Sequence, residues 1–155
     1  MKSLVVFYSR TGPTKRVAEV IADTLKCDVE EIIDTKNRKG LFGYLRSGSD
    51  AIRKRLTNIK EIKYNPADYD LIVLGTPNWG GIFTPAIRTY VTQNQDKIKK
   101  VAFFITCGGS GLEKIFAELE KLCGKPSIAT LGLTAKEVKQ DQFIDKVKDF
   151  VTKIK

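Results

Sequence analysis

Apolar residues in this chain follow two periodicities that alternate from end to end. Leu4-Val5-Val6-Phe7-Tyr8 is a continuous apolar run, the mark of a strand covered on both faces. Val17, Ala18, Ile21, Ala22 and Leu25 then recur at helical spacing. Val29 and Ile32-Ile33 predict a second strand, up to Asp34. Leu41, Leu45, Ile52 and Leu56 predict a second helix, interrupted near Gly48. Asn65-Pro66 marks a turn, and Leu71-Ile72-Val73-Leu74 a third strand. Thr84-Pro85 reads as a helix start, with Ile87, Tyr90 and Val91 on its apolar face. Val101-Ala102-Phe103-Phe104-Ile105 is the fourth strand. Leu112, Ile115, Phe116, Leu119 and Leu122 make the helix after it, which Gly124 and Pro126 stop. Ser127 to Leu131 is a fifth strand, and Phe143, Ile144, Val147, Phe150, Val151 and Ile154 form a closing helix. Strands alternating with helices need right-handed crossovers, which gives an α/β fold with a parallel sheet between two helical layers.

Length and composition narrow the class. The 155 residues, 42% hydrophobic and 29% charged, fit one globular domain over 1–155, without repeat or linker. No apolar run approaches the eighteen or so residues of a membrane span. The opening apolar run ends at Tyr8 without a small-residue cleavage site, which argues against a signal peptide. Three cysteines (Cys27, Cys107, Cys123) with no C-x-x-C pair argue against a disulfide framework and a zinc site, and suit a reducing cytoplasmic setting. Histidine is absent, which removes Ser-His-Asp, Cys-His and histidine–metal chemistry. The net charge is +9, and residues 36–63 hold most of it, nine Lys and Arg against Asp50 and Glu61. Such a stretch is either a solvated helix face or a surface for an anionic partner.

In doubly wound sheets, ligands sit beyond the carboxyl ends of the strands, where the winding reverses. The loops after strands one, three and four are therefore the informative ones. They read Ser9-Arg10-Thr11-Gly12-Pro13-Thr14, Thr76-Pro77-Asn78-Trp79-Gly80-Gly81, and Thr106-Cys107-Gly108-Gly109-Ser110-Gly111. None carries Asp or Glu. The first brings three hydroxyls, a glycine and Arg10 to a helix N-terminus, whose N–H groups and dipole favour a phosphate. A plain helix cap by Thr11 or Thr14 is the simpler use of those hydroxyls. The second loop offers a planar indole that either stacks on a flat ring or roofs the core. The third is nearly bare backbone, suited to a ligand's edge or to an ordinary turn.

These three loops, in this order and after these strands, resemble the flavodoxins over essentially the whole chain. Thr11-Gly12-Pro13-Thr14 is similar to their T-G-x-T phosphate loop, Trp79-Gly80 to their flavin-stacking tryptophan and glycine, and Cys107-Gly108 to the C-G of their third loop. The resemblance implies a five-stranded parallel sheet in the order 2-1-3-4-5 and a noncovalent FMN. Ser9, Thr11, Gly12 and Thr14 would hold its phosphate. Trp79 would stack on the isoalloxazine, the Gly80 carbonyl would lie near N5, and Thr106 to Gly111 would line the pyrimidine edge. Three departures stand out. Pro13 removes an N–H that this loop normally offers, for which Arg10 would compensate. The third loop lacks the tyrosine that often covers the flavin's other face. The chain is basic where flavodoxins are typically acidic.

Other proteins of this architecture fit less well. A receiver domain needs an acidic pair after strand one, where Ser9-Arg10 stands; a small phosphatase needs C-x5-R, and Glu113 occupies that place after Cys107. A Walker glycine-lysine loop is missing. The expected function is therefore an FMN electron carrier between redox proteins, whose partners would present an acidic face. The alternative is an FMN-dependent NAD(P)H:quinone or flavin-type reductase with an open flavin face. Nucleic-acid binding through the basic stretch is disfavoured, because that segment reads as an amphipathic helix.

Overall fold

The computed structural model describes residues 1–35, 45, 56–108 and 111–155. The helix expected over Leu41–Leu56 lies, but for Leu45 and Leu56, outside the described residues, as do Gly109 and Ser110. Among the described residues the strands are β1 (Ser3–Phe7), β2 (Asp28–Glu31), β3 (Leu71–Trp79), β4 (Ile82–Phe83), β5 (Lys100–Cys107) and β6 (Ser127–Thr134). The helices are α1 (Pro13–Leu25), α2 (Pro85–Asn94), α3 (Leu112–Cys123), α4 (Ala135–Lys139) and α5 (Ile144–Ile154). Five strands pair in parallel in the order β2-β1-β3-β5-β6, and β4 pairs antiparallel with the end of β3. The five parallel strands thus take the expected 2-1-3-4-5 order.

Strand alternation sends neighbouring side chains to opposite faces. Leu4, Val6, Ile72, Leu74, Phe103 and Ile105 meet Ile87, Tyr90 and Val91 of α2 and Ile115 and Leu119 of α3. Val5, Phe7, Val73, Ala102 and Phe104 meet Val17, Ala18 and Ile21 of α1 and Val147, Phe150 and Val151 of α5. Burying each large apolar side chain stabilises the fold by about 1.5–3 kcal/mol. Two-sided burial explains why β1, β3 and β5 read as unbroken apolar runs. The edge strand β6 alternates instead: Ala129, Leu131 and Leu133 are buried, whereas Ile128 stays exposed.

Four local features depart from the expected pattern. β2 ends at Glu31, and Ile33 and Asp34 turn to residues 58–60, through Lys60 N–H to Ile33 O at 2.9 Å and an antiparallel bridge between Asp34 and Ile59. β3 runs on to Trp79 and folds back as a hairpin. β6 continues past Leu131 to Thr134, following β5 to Cys107. A short helix, α4, follows at once, closed by a capping box between Thr134 and Glu137.

The cysteines are free thiols. Burial, with Asp28 beside it, pushes Cys27 up to about 11, and burial raises Cys123 to about 12. Among the described residues, no helix is long and apolar enough to cross a membrane.

Candidate flavin site

The winding reverses between β1 and β3, so the crevice beyond their carboxyl ends is where this architecture places a ligand. The first loop leaves β1 there. Tyr8 still pairs with β3, its N–H donating to Gly75 O at 3.1 Å, and the chain then turns. Ser9 Oγ accepts the Gly12 N–H at 3.0 Å. Gly12 has φ +116°, a conformation that side chains resist, and it caps α1 without any side-chain cap bond. Pro13 takes the first helical position, where its missing N–H costs the helix nothing and its fixed φ suits the turn. The first intrahelical bond runs from Arg16 N–H to Gly12 O at 3.0 Å. The N–H groups of Thr14 and Lys15 precede it, so the helix supplies them no acceptor. No acidic residue stands in this first turn. The threonines do not cap α1: Thr11 is exposed, and the buried Thr14 hydroxyl lies 2.8 Å from the Thr106 hydroxyl.

The second loop is the β3–β4 hairpin. Gly80 and Gly81, at φ +63° and +84°, form its two-residue turn, and positive φ at both central positions is the signature of a type I′ turn. Asn78 Oδ1 accepts the Gly81 N–H at 2.8 Å. Trp79 at the tip is half-buried, set edge-to-face on Tyr8 with centroids 5.4 Å apart and planes at 88°. Thr76 lies beneath this loop. It is buried, and its hydroxyl accepts the Thr84 N–H at 3.2 Å, joining β3 to the start of α2.

The third loop leaves β5 with Thr106 and Cys107 buried and Gly108 exposed. Pairing of Cys107 with Thr134 carries the start of α4 to the same place. Arg16 fixes α4 from behind: its guanidinium donates to Val138 O at 2.9 Å and pairs with the Asp141 carboxylate.

These elements enclose one cleft of about 210 Å³. Ser9, Arg10, Thr11, Pro13 and Thr14 line it from the first loop, Pro77, Asn78 and Trp79 from the second, and Thr106, Cys107 and Gly108 from the third. Thr76, Gly12, Gly80 and Gly111 shape the surrounding backbone and do not line it. Ala135, which does, is the addition the sequence reading missed. The Thr-Ala-Lys-Glu capping box was its available signal. A larger cleft of about 390 Å³ runs along β2, but Lys15, Glu19, Glu31, Lys60, Glu61 and Lys63 fill its walls with both signs of charge. Lys15 and Glu31 already pair there at 3.5 Å.

The family model for flavodoxin matches residues 2–154. The chain belongs to the flavodoxin family. Among solved structures, this flavodoxin-family chain is similar to a flavoprotein from Lactobacillus acidophilus NCFM crystallised in complex with FMN. The two share 26% identity over 95% of this chain and 98% of that one, with a TM-score of 0.73. A Bacteroides eggerthii DSM 20697 protein is similar at 25% identity over 95% and 98% of the chains, with a TM-score of 0.72. The two-electron reduced flavodoxin of Megasphaera elsdenii shares the fold, at 22% identity over 84% and 85% of the chains and a TM-score of 0.55. No curated protein matches the chain significantly.

Proposed function

We propose that this flavodoxin-family protein binds FMN noncovalently in the cleft and shuttles electrons between redox partners. One observation carries the reading. The first turn of α1 offers backbone N–H groups and no carboxylate, and it shares a cleft with an indole braced by Tyr8. A terminal phosphate suits the first and a flat heterocycle the second. The site therefore fits the group at both ends. Ser9, Thr11, Gly12 and Thr14 would surround the phosphate. Arg10 would add positive charge where Pro13 lacks an N–H. Trp79 would lie against the ring system, and Cys107 and Gly108 would border its edge, with Thr106 buried behind Thr14. FMN supplies the redox chemistry when bound. The chain's residues bind it, orient it and set the charge around it.

Titration of apoprotein with FMN and with riboflavin tests the reading. FMN should bind more tightly and should quench Trp79, the only tryptophan in the chain. Equal affinity for the two would remove the phosphate assignment, and unquenched emission would place the indole away from the ring. A second reading, an NAD(P)H-dependent reductase, draws on the exposure of Gly108, where a covering side chain would otherwise stand. Flavin reduction by NADPH with no other protein present would favour that reading over the carrier.

A further inference from the structure

The hydrogen bond between Thr14 and Thr106 joins residues 92 positions apart and closes the cleft from below. Both side chains are buried, 1% and 5% exposed, with their oxygens 2.8 Å apart. Each hydroxyl has one proton, and only one of the two can lie on the line between them. If Thr14 donates, its proton is used up inside the protein. If Thr106 donates, the Thr14 proton is free to point into the cleft. Two other helical threonines show one outlet for such a proton: Thr24 donates to Val20 O at 2.7 Å and Thr152 to Lys148 O at 2.9 Å, each one turn back along its helix, whereas Thr89 donates across to Thr57 O at 2.9 Å. Thr14 sits in the first turn of α1 with no preceding turn, so that outlet is closed.

We propose that Thr106 is a positioning residue for the anion end of the cleft: it donates to Thr14, and so aims the Thr14 proton at the terminal phosphate of the ligand. This rests on the FMN reading above and deepens it. A phosphate at neutral pH carries charge and accepts hydrogen bonds, so its arrival selects the arrangement in which Thr106 donates inward and Thr14 outward. Polarisation along the pair strengthens the outer bond. Pro13 makes the hydroxyl count for more, because it removes one backbone donor from the same turn. The pair also ties the phosphate end, on α1, to the strand that carries the third loop.

Thr106→Val keeps the shape and deletes the donor; Thr106→Ser restores it. Each apoprotein is titrated with FMN and with riboflavin. Thr106→Val should weaken FMN by about fivefold, the scale of the one neutral hydrogen bond it removes, and leave riboflavin unchanged. Thr106→Ser should return FMN to within about twofold. In a Thr14→Val background, Thr106→Val should add nothing. Thr106→Cys, similar in size and a weak donor, should fall between Ser and Val, and it serves if the valine variant does not fold. Equal loss of FMN and riboflavin, or full retention of the FMN preference in Thr106→Val or Thr106→Cys, overturns the proposal. A wild-type protein without FMN preference overturns the cofactor reading itself, which separates the two failures.

Discussion

Gly75 sits on β3 directly opposite Phe104 of β5. A Cβ there would fall 1.9 Å from Phe104 Cζ, and that side chain is 0% exposed, with no room to swing away. The aromatic side chain thus covers the glycine and fills the space that its missing side chain leaves. Gly75→Ala should cost about 1–3 kcal/mol by overpacking, read as a lower thermal midpoint. Gly75→Ala combined with Phe104→Leu should recover part of the loss. A midpoint untouched by Gly75→Ala would mean that β3 and β5 separate more easily than their register implies. At the same scale, the residues of the three loops were legible as a constellation because each follows an apolar run. Thr76 was legible only as a hydroxyl near the site. Its bond to the Thr84 N–H depends on the hairpin, which brings residue 84 back beside residue 76.

The start of α4 depends on a reciprocal pair. Thr134 Oγ1 accepts the Glu137 N–H at 3.1 Å, and the Glu137 carboxylate accepts the Thr134 N–H at 2.8 Å. Lys146 and then the Thr134 N–H hold the Glu137 carboxyl below its usual range. A depressed carboxyl stabilises the fold fully above its unfolded value of about 4.3, and that contribution is lost as pH falls through the lower folded value. Glu137→Gln should therefore lower the thermal midpoint at pH 7, and the gap to wild type should close as pH falls below about 4. A gap that is constant with pH would assign the loss to packing. Thr134→Ala should cost about 1 kcal/mol at pH 7, as cap removal does. Elements with two-sided burial were plain in the sequence. The hairpin was missed because Trp79-Gly80-Gly81-Ile82 reads first as ligand loop, although Gly-Gly between apolar residues is also a hairpin signal. Ile32-Ile33 looked like strand because both are β-branched, yet hydrogen bonds to residues 58–60 draw the chain out of the parallel ladder. Neither α4 nor Ala135 stood out, because five residues are too few to show a helical period.

Charge belongs to the whole molecule. The +9 total is mostly carried by residues 36–63, and the three loops hold no Asp or Glu. A positive surround favours added negative charge on a bound flavin, and each 1.4 kcal/mol of relief raises a one-electron couple by about 60 mV. Screening, with a Debye length of about 8 Å at physiological salt, keeps the surface part of the effect small. The potential of the second reduction step should therefore lie modestly above that of an acidic flavodoxin. If the partner presents an acidic face, electron-transfer rates should fall as salt rises and should drop on charge reversal at Arg53, Lys54 and Arg55. Rates indifferent to both would leave the basic stretch as a solubilising surface.

The order of the strands has a kinetic consequence. β1 pairs with β2 across a short crossover, and β3 pairs with β5, and β5 with β6, across others. The β1–β3 seam is different: Lys2 and Asp70, which open it, are 68 residues apart. Closing so long a loop costs entropy before any contact rewards it, so the two halves should dock late. The cleft straddles that seam, with Thr14 contributed by one half and Trp79 and Thr106 by the other. Before docking there is no site for a ligand to recognise. FMN should consequently leave the refolding rate from denaturant unchanged and slow unfolding alone, a pattern that chevron plots with and without the flavin would reveal. Acceleration of refolding by FMN would put the seam, and with it the site, ahead of the folding barrier.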